Sequence, residues 1–234
     1  MEKEKEWDFL RRSTPARIGV GRTGTRPLTQ TLLQFRADHA AAVDAVYGEV
    51  SLSLLEKHGL FTIETEYKTK SNYLNRPDDG RRFSAEALAH LSSVCVKKPQ
   101  VQVVVSDGLS ASAVEENLSD IYPALMDSLT VYGLTVGTPF FVKGGRVGCM
   151  DPIGDCLEPE VLVLLIGERP GLVTPSSLSA YMCYRPRAGR KDAERTVISN
   201  IHRKGTPAIE AGAYIGTLAM KMIEQQVSGV GLVL

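Results

Sequence analysis

This 234-residue sequence has no net charge: Lys plus Arg and Asp plus Glu each number 27. That balance removes the simplest case for a nucleic-acid binder, which needs a basic excess to neutralise phosphates. Cysteines number only four, Cys95, Cys149, Cys156 and Cys183, with no CxxC pair, so neither a disulfide scaffold nor a zinc module is encoded. Buried thiols in a reducing compartment are the expectation. Aromatic content is a low 6%. The longest apolar run, VLVLLIG at 161–167, is far short of the roughly 20 residues of a membrane span and reads as a buried strand. The opening MEKEKEWDFLRRSTPAR has no apolar core, which predicts no secretory leader and a cytoplasmic protein. No internal repeat is present. The four histidines, His39, His58, His90 and His202, form no HxxxH or HExxH pattern, so no metal site is expected from them.

What is present is an α/β pattern behind a polar N-terminal segment. Leu10–Arg26 carries five arginines, no acid, and Pro, Gly, Ser and Thr; it reads as an irregular arm ordered by an external surface. From Pro27 to Glu56, Leu28, Leu32, Phe35, His39, Val43 and Val46 share a helical stripe, with a weak point at Gly48. A second irregular stretch covers 59–82, and Ser84 caps a short helix whose Ala87, Leu88 and Leu91 face inward. From Val101 onward, VQVVVSDG is a strand. Leu109 to Leu129 is a helix with Val114, Leu118, Ile121, Leu125 and Leu129 inward, kinked or divided at Pro123. PFFVKGGRVGCMD reads as a hairpin turning at Gly144 and Gly145. VLVLLIG and VISNI are further strands, Pro207 starts a helix ending near Gln226, and VGLVL closes as a strand. Continuous apolar strands separated by helices predict an open, mainly parallel sheet covered on both faces, with an N-terminal helical extension.

Strand ends at SDG, GERPG and SNIH are where such a sheet forms a ligand crevice. Gly19, Gly21 and Gly24 spell GxGxxG, but no strand precedes them and Pro27 follows, so a turn is the better reading than a nucleotide site. Asp107 and Ser110 suit either a ligand's polar group or helix capping. Glu168 and Arg169 in GERPG suit the rim of a polar cofactor pocket or a structural ion pair. Tyr184–Gly205 holds seven basic and two acidic residues, which fits a solvated or protein-contact face, or contacts to an anionic cofactor. His202 fits a structural hydrogen bond better than catalytic duty. No residue of this chain is singled out as catalytic, and the residues alone reach a ligand-binding α/β subunit.

LRRSTPARIGVGRTGTRPLTQTLLQFRADHA, VVVSDGLSA, GLTVGTPFFVKGGRVG, LLIGERPGL and DAERTVISNIHRKGTPAIEAGAYI, in that order, closely resemble the small subunit of ethanolamine ammonia-lyase from about Leu10 on. The resemblance implies a subunit of an adenosylcobalamin-dependent lyase. That enzyme converts ethanolamine to acetaldehyde and ammonia by radical chemistry begun at the cobalt–carbon bond. The substrate would lie in a TIM-barrel-like large subunit, while a Rossmann-like small subunit helps enclose the corrin. By carry-over, Val147, Glu168 and Val197 contact cobalamin, with Arg146 the neighbouring polar candidate. Val197 stands where the family often has cysteine; a backbone contact survives that change and a sulfur-specific role does not. The implied organisation is an arm at 1–26, a helical partner-interface region at 27–99 and a Rossmann-like cobalamin-contacting domain at 100–234. The resemblance also implies a bacterial cytoplasmic enzyme, with an ethanolamine-utilisation microcompartment as its setting, although only a few charged residues precede Trp7. No nucleic-acid or membrane partner is expected. The alternative is a regulatory or assembly module whose crevice binds a ligand without serving turnover.

Overall fold

A computed structural model describes residues 2–14 and 17–234, and the side chains from Trp7 onward within that range. The two central strands show why the chain folds as it does. In β4 (Val101–Ser106) and β6 (Val161–Gly167) every residue is buried. Side chains alternate across a strand, so Val101, Val103, Val105, Val161, Val163 and Leu165 serve one core, and Val104, Leu162, Leu164 and Ile166 the other. Each such fully buried aliphatic side chain contributes roughly 1.5–3 kcal/mol. The first core is completed by α6 (Ala111–Val131) and α8 (Ala208–Gln225), the second by α5 (Ala85–Val94) and α7 (Met150–Leu157).

The six-stranded sheet adds β3 (Phe61–Glu64), β5 (Phe140–Lys143), β7 (Leu178–Tyr184) and β8 (Thr196–Ile201), in the spatial order β3-β5-β4-β6-β7-β8. The first four strands in that order are parallel; β7 and β8 join antiparallel. This is the expected mainly parallel α/β layering, with helices on both faces. Among the described residues, no helix is long and apolar enough to cross a membrane.

Caps form as the sequence reading expected: Ser84 Oγ accepts the Ala87 N–H at 3.2 Å, and Ser110 Oγ accepts the Ala113 N–H at 3.1 Å. The helix α6 runs unbroken through Pro123. Its inward set, Val114, Leu118, Ile121, Leu125 and Leu129, is wholly buried, so packing along the whole face holds the helix across the lost N–H.

Four further local expectations are overturned. The GGRVG segment is no hairpin: β5 is hydrogen-bonded on both sides, by β3 and β4, and the chain leaves it through a 3-10 turn, Val147–Cys149, into α7. The stretch 59–82 contains β3, α4 (Lys70–Asn75) and a 3-10 turn at Pro77–Arg81. VGLVL begins in a 3-10 turn, Gly229–Gly231, that lies against the edge strand β8 without pairing with it, and Val230 and Val233 are exposed.

The arm is also more regular than expected. Leu10–Ser13 is the last part of α1 (Glu2–Ser13), and β1 (Arg22–Thr23) pairs with β2 (Arg26–Pro27) around Gly24, whose φ of +62° suits the turn. Pro15 and Ala16 lie outside the described residues. The hairpin is tied to α2 (Thr29–Tyr47): Arg17 pairs with Asp38 and stands over the Phe35 ring at 5.3 Å. The next helix, α3 (Leu52–Lys57), follows the break at Gly48. Although α2 has the expected helical stripe, only Ala45 is buried on it, and Leu28, Leu32, Phe35 and Val43 are exposed.

Candidate functional site

In an open α/β sheet the natural crevice lies between neighbouring strands whose following helices go to opposite faces. Here those strands are β4 and β5, and their ends are joined rather than open. The Asp107 carboxylate accepts the Gly144 N–H at 2.8 Å, and Ser106 Oγ accepts the Gly145 N–H at 3.2 Å. The segment after β3 covers this junction. Thr65 Oγ1 donates to the Gly144 carbonyl at 3.0 Å, and the fully buried Tyr73 donates its hydroxyl to the Gly145 carbonyl at 2.8 Å. Lys70 Nζ comes to 4.0 Å from Asp107. Burial pushes the Asp107 carboxyl up and the Lys70 amine down, so at that separation desolvation outweighs their mutual attraction. Asp107 and Ser110 are therefore structural: Ser110 caps α6 and donates its hydroxyl to the Pro175 carbonyl at 2.8 Å.

An open cleft of about 970 Å³ lies beside this junction, at the upper end of the ~300–1,000 Å³ typical of small-molecule sites. Arg146, Val147, Gly148, Asp151 and Pro152, leading into and opening α7, form one wall. Tyr181 of β7 and residues 188–192 with Arg195 form the other, while Pro77 and Arg81 reach in from the covering segment. Five cationic side chains, Arg81, Arg146, Arg190, Lys191 and Arg195, face two carboxylates, Asp151 and Asp192. Much of this charge is already paired: Arg81 with Asp78 at 3.2 Å, Arg190 with Glu194, and Arg195 with Asp151 at 2.8 Å and with Asp192. Burial raises the Asp151 carboxyl against the opposing pull of Arg195.

Arg146 and Val147 thus line the cleft directly. Glu168 does not pair with Arg169; its carboxylate accepts the Tyr181 hydroxyl at 3.2 Å. Burial, with Glu168 adding its negative charge, pushes the Tyr181 phenol up to about 12, so Tyr181 stays a neutral donor at physiological pH. Val197 lies opposite Tyr181 in the β7–β8 register, hence on the same sheet face, and is 46% exposed because no helix covers β8 there. One tyrosine therefore links three places separated in sequence. Tyr181 is missing from the sequence reading, as is β7, although LSAYMCY carried a strand signal in its apolar and aromatic content. His202 is structural: Nε2 lies 2.7 Å from Asn200 Oδ1, and Nδ1 accepts the Lys204 N–H at 3.2 Å. The Gly19–Gly24 segment lies in the hairpin beside α2, apart from the cleft lining.

The donor set suits a large polar organic group better than a bare ion. Among the described residues no group of three or more His, Cys, Asp or Glu is placed to hold a metal. The cleft instead offers an apolar side chain at Val147 and guanidinium donors, with Glu168 outside its lining and joined to it through Tyr181, and among the described residues the buried Nε atoms of Arg146 and Arg195 have no hydrogen-bond partner.

Residues 4–233 match the family model described as ethanolamine ammonia-lyase light chain (EutC). The chain is similar to the ethanolamine ammonia-lyase small subunit of Clostridium tetani, 52% identical over 231 residues that span 99% of this chain and 78% of the relative. It is likewise similar to the protein of that name from Fusobacterium nucleatum, 49% identical across 97% of this chain and 77% of the relative. The one from Lachnoclostridium phytofermentans is 46% identical across 99% and 78%.

Proposed function

The chain belongs to the ethanolamine ammonia-lyase light-chain family and is a small subunit of that lyase; from this premise we propose that its cleft forms one wall of a cobalamin chamber closed by the large subunit. The observation that carries the reading is that Arg146 and Val147 line one 970 Å³ cleft together with Tyr181, while Glu168 and Val197, outside that lining, each adjoin the same tyrosine. Adenosylcobalamin, when bound, supplies the radical chemistry by which ethanolamine becomes acetaldehyde and ammonia. Val147 packs against its apolar surface. Glu168, held by Tyr181, accepts a hydrogen bond from a peripheral amide, and Val197 contributes an apolar or backbone contact. None of these side chains exchanges protons with substrate. Their work is to position the cofactor and keep water and competing reactions out.

The second half of the proposal concerns the partner. The helix α2, with its N-cap residue Leu28, exposes Leu28, Leu32, Leu33, Phe35, Val43 and Tyr47. A contiguous apolar helix face left uncovered by its own chain is the kind of surface a partner buries. We take it, with the α1 and hairpin arm, as part of the large-subunit interface within region 27–99. The setting is the bacterial cytoplasm, with a microcompartment as the finer expectation.

Two measurements test the pair of statements. Ethanolamine turnover with added adenosylcobalamin should require this chain and its large subunit together, and each protein alone should be inactive. A folded, cobalamin-loaded complex without ethanolamine turnover would point to another substrate or to the regulatory alternative. A Leu32→Glu variant should keep its helical circular dichroism but bind the large subunit at least about tenfold more weakly, as expected for a charge buried without a partner. Undiminished association would remove α2 from the interface.

A further inference from the structure

Arg146 is held unlike any other cation of the cleft. Its guanidinium carbon stands 4.2 Å from the centre of the Tyr73 ring, and Nη2 donates to the Tyr73 carbonyl at 3.1 Å. Its backbone N–H donates to the Gly80 carbonyl at 2.8 Å. Among the described residues no carboxylate lies within ion-pair distance of it, whereas Arg81, Arg190 and Arg195 are each paired; Lys191, likewise outside any ion pair, is exposed to solvent and not clamped. Its Nε is buried without a partner. A positive charge that is clamped, partly desolvated and lacking a counter-ion is one arranged to receive an anion from outside the chain.

Tyr73 does the clamping and cannot easily move. It is fully buried, its hydroxyl is fixed on Gly145, Tyr67 lies edge-on at 5.6 Å, and Lys70 stands on it at 5.2 Å. The covering segment that closes the sheet's own crevice therefore also sets the direction of Arg146 in the neighbouring cleft.

We propose that Tyr73 is a positioning residue that presents the Arg146 guanidinium to a singly charged phosphodiester, the phosphate of the cofactor's nucleotide loop. This rests on the reading of the cleft as a cobalamin wall and says which part of the cofactor Arg146 meets. A planar guanidinium fork matches two phosphate oxygens at once, which a lysine cannot do. The phosphodiester belongs to the nucleotide loop, which cobinamide lacks together with its ribose and base while retaining the corrin and its amides.

The test is equilibrium binding of hydroxocobalamin and of cobinamide, followed by visible absorbance, to this chain assembled with the large subunit. Arg146→Gln should weaken hydroxocobalamin binding about tenfold to a hundredfold and leave cobinamide binding within twofold of the parent. Arg146→Lys should restore part of the loss. Tyr73→Phe, which keeps the ring, should behave as the parent, and Tyr73→Leu should behave as Arg146→Gln. Because Arg146 is partly exposed, its variants carry the test even if Tyr73→Leu fails to fold. Equal losses for both corrinoids, or none for hydroxocobalamin with Arg146→Gln, would overturn the assignment while leaving the cofactor reading intact. Thermal protection by inorganic phosphate alone, with no difference between the corrinoids, would overturn it in favour of a free anion. A parent complex that takes up neither corrinoid would sink the cofactor reading as well.

Discussion

Substituting alanine for Gly154 should lower the stability of this chain, although the exchange inside a helix normally raises it by about 1 kcal/mol. Gly154 is buried in α7, and a Cβ built there would lie 2.0 Å from the Pro186 carbonyl oxygen and 2.6 Å from its carbon. Both neighbours are backbone, so relief requires α7 or the segment after β7 to move. Overpacking of this kind costs typically 1–3 kcal/mol and more when backbone must shift. We expect a net loss of about 2–4 kcal/mol, read as a fall in the melting temperature of roughly 4–16 °C for a chain of this size. Because α7 carries Asp151 and Pro152 in the cleft wall, corrinoid affinity should fall in the same variant. A melting temperature equal to or above that of the parent would show that α7 does not rest on Pro186.

The other large effect is on the ligand. Glu168→Lys should reduce cobalamin retention in the complex with the large subunit by about a hundredfold, with the fold intact. Glu168 follows β6 and is only half-buried. The contact that anchors it locally, its N–H to the Ser177 carbonyl at 2.9 Å, belongs to the backbone and survives the change. What is lost is the acceptor for the Tyr181 hydroxyl, and what is gained is another cation beside a wall that already has five against two carboxylates. Loss of a charge-assisted bond is worth about 1.5–3 kcal/mol, and the misplaced charge adds to it. Glu168→Gln keeps one acceptor oxygen and should lose only a few-fold. Cobalamin remaining bound after gel filtration, compared across the three proteins, decides the matter: equal retention would exclude Glu168 from the site.

The elements legible in advance are those whose physics is local. Strands buried on both faces must be apolar throughout, so β4 and β6 were readable as continuous runs. The Ser84 and Ser110 caps act within three residues and were readable for the same reason. The short edge strand β3 gave no such signal, since only Ile63 of its four residues is buried. GGRVG looked like a hairpin turn because two glycines after a strand satisfy the local rule. Parallel neighbours on both sides of β5 removed any place for a returning strand.

The site divides in the same way. Glu168 is legible in GERPG as a polar residue at a strand end, whereas Arg146 and Val147 come only from the family resemblance. Their meeting place came from neither. It depends on β7 running antiparallel to β6 in a register that sets Val197 opposite Tyr181, and on Tyr181 reaching back to Glu168. Register is a property of strand pairs. The exposed stripe of α2 shows the complementary case: its helical period follows from the order of residues, but whether that face meets the core or stays outside depends on what the rest of the chain already covers. By itself, then, the sequence determined the α/β layering, the two central strands, the helix caps and the family, all of which rest on neighbours along the chain or on residue order. Only the tertiary structure decided that the crevice of the sheet is closed by residues 65–73 and that the open cleft lies beside it. That outcome depends on desolvation and hydrogen bonding among Thr65, Lys70, Tyr73, Asp107 and Gly144, groups that the sequence keeps far apart.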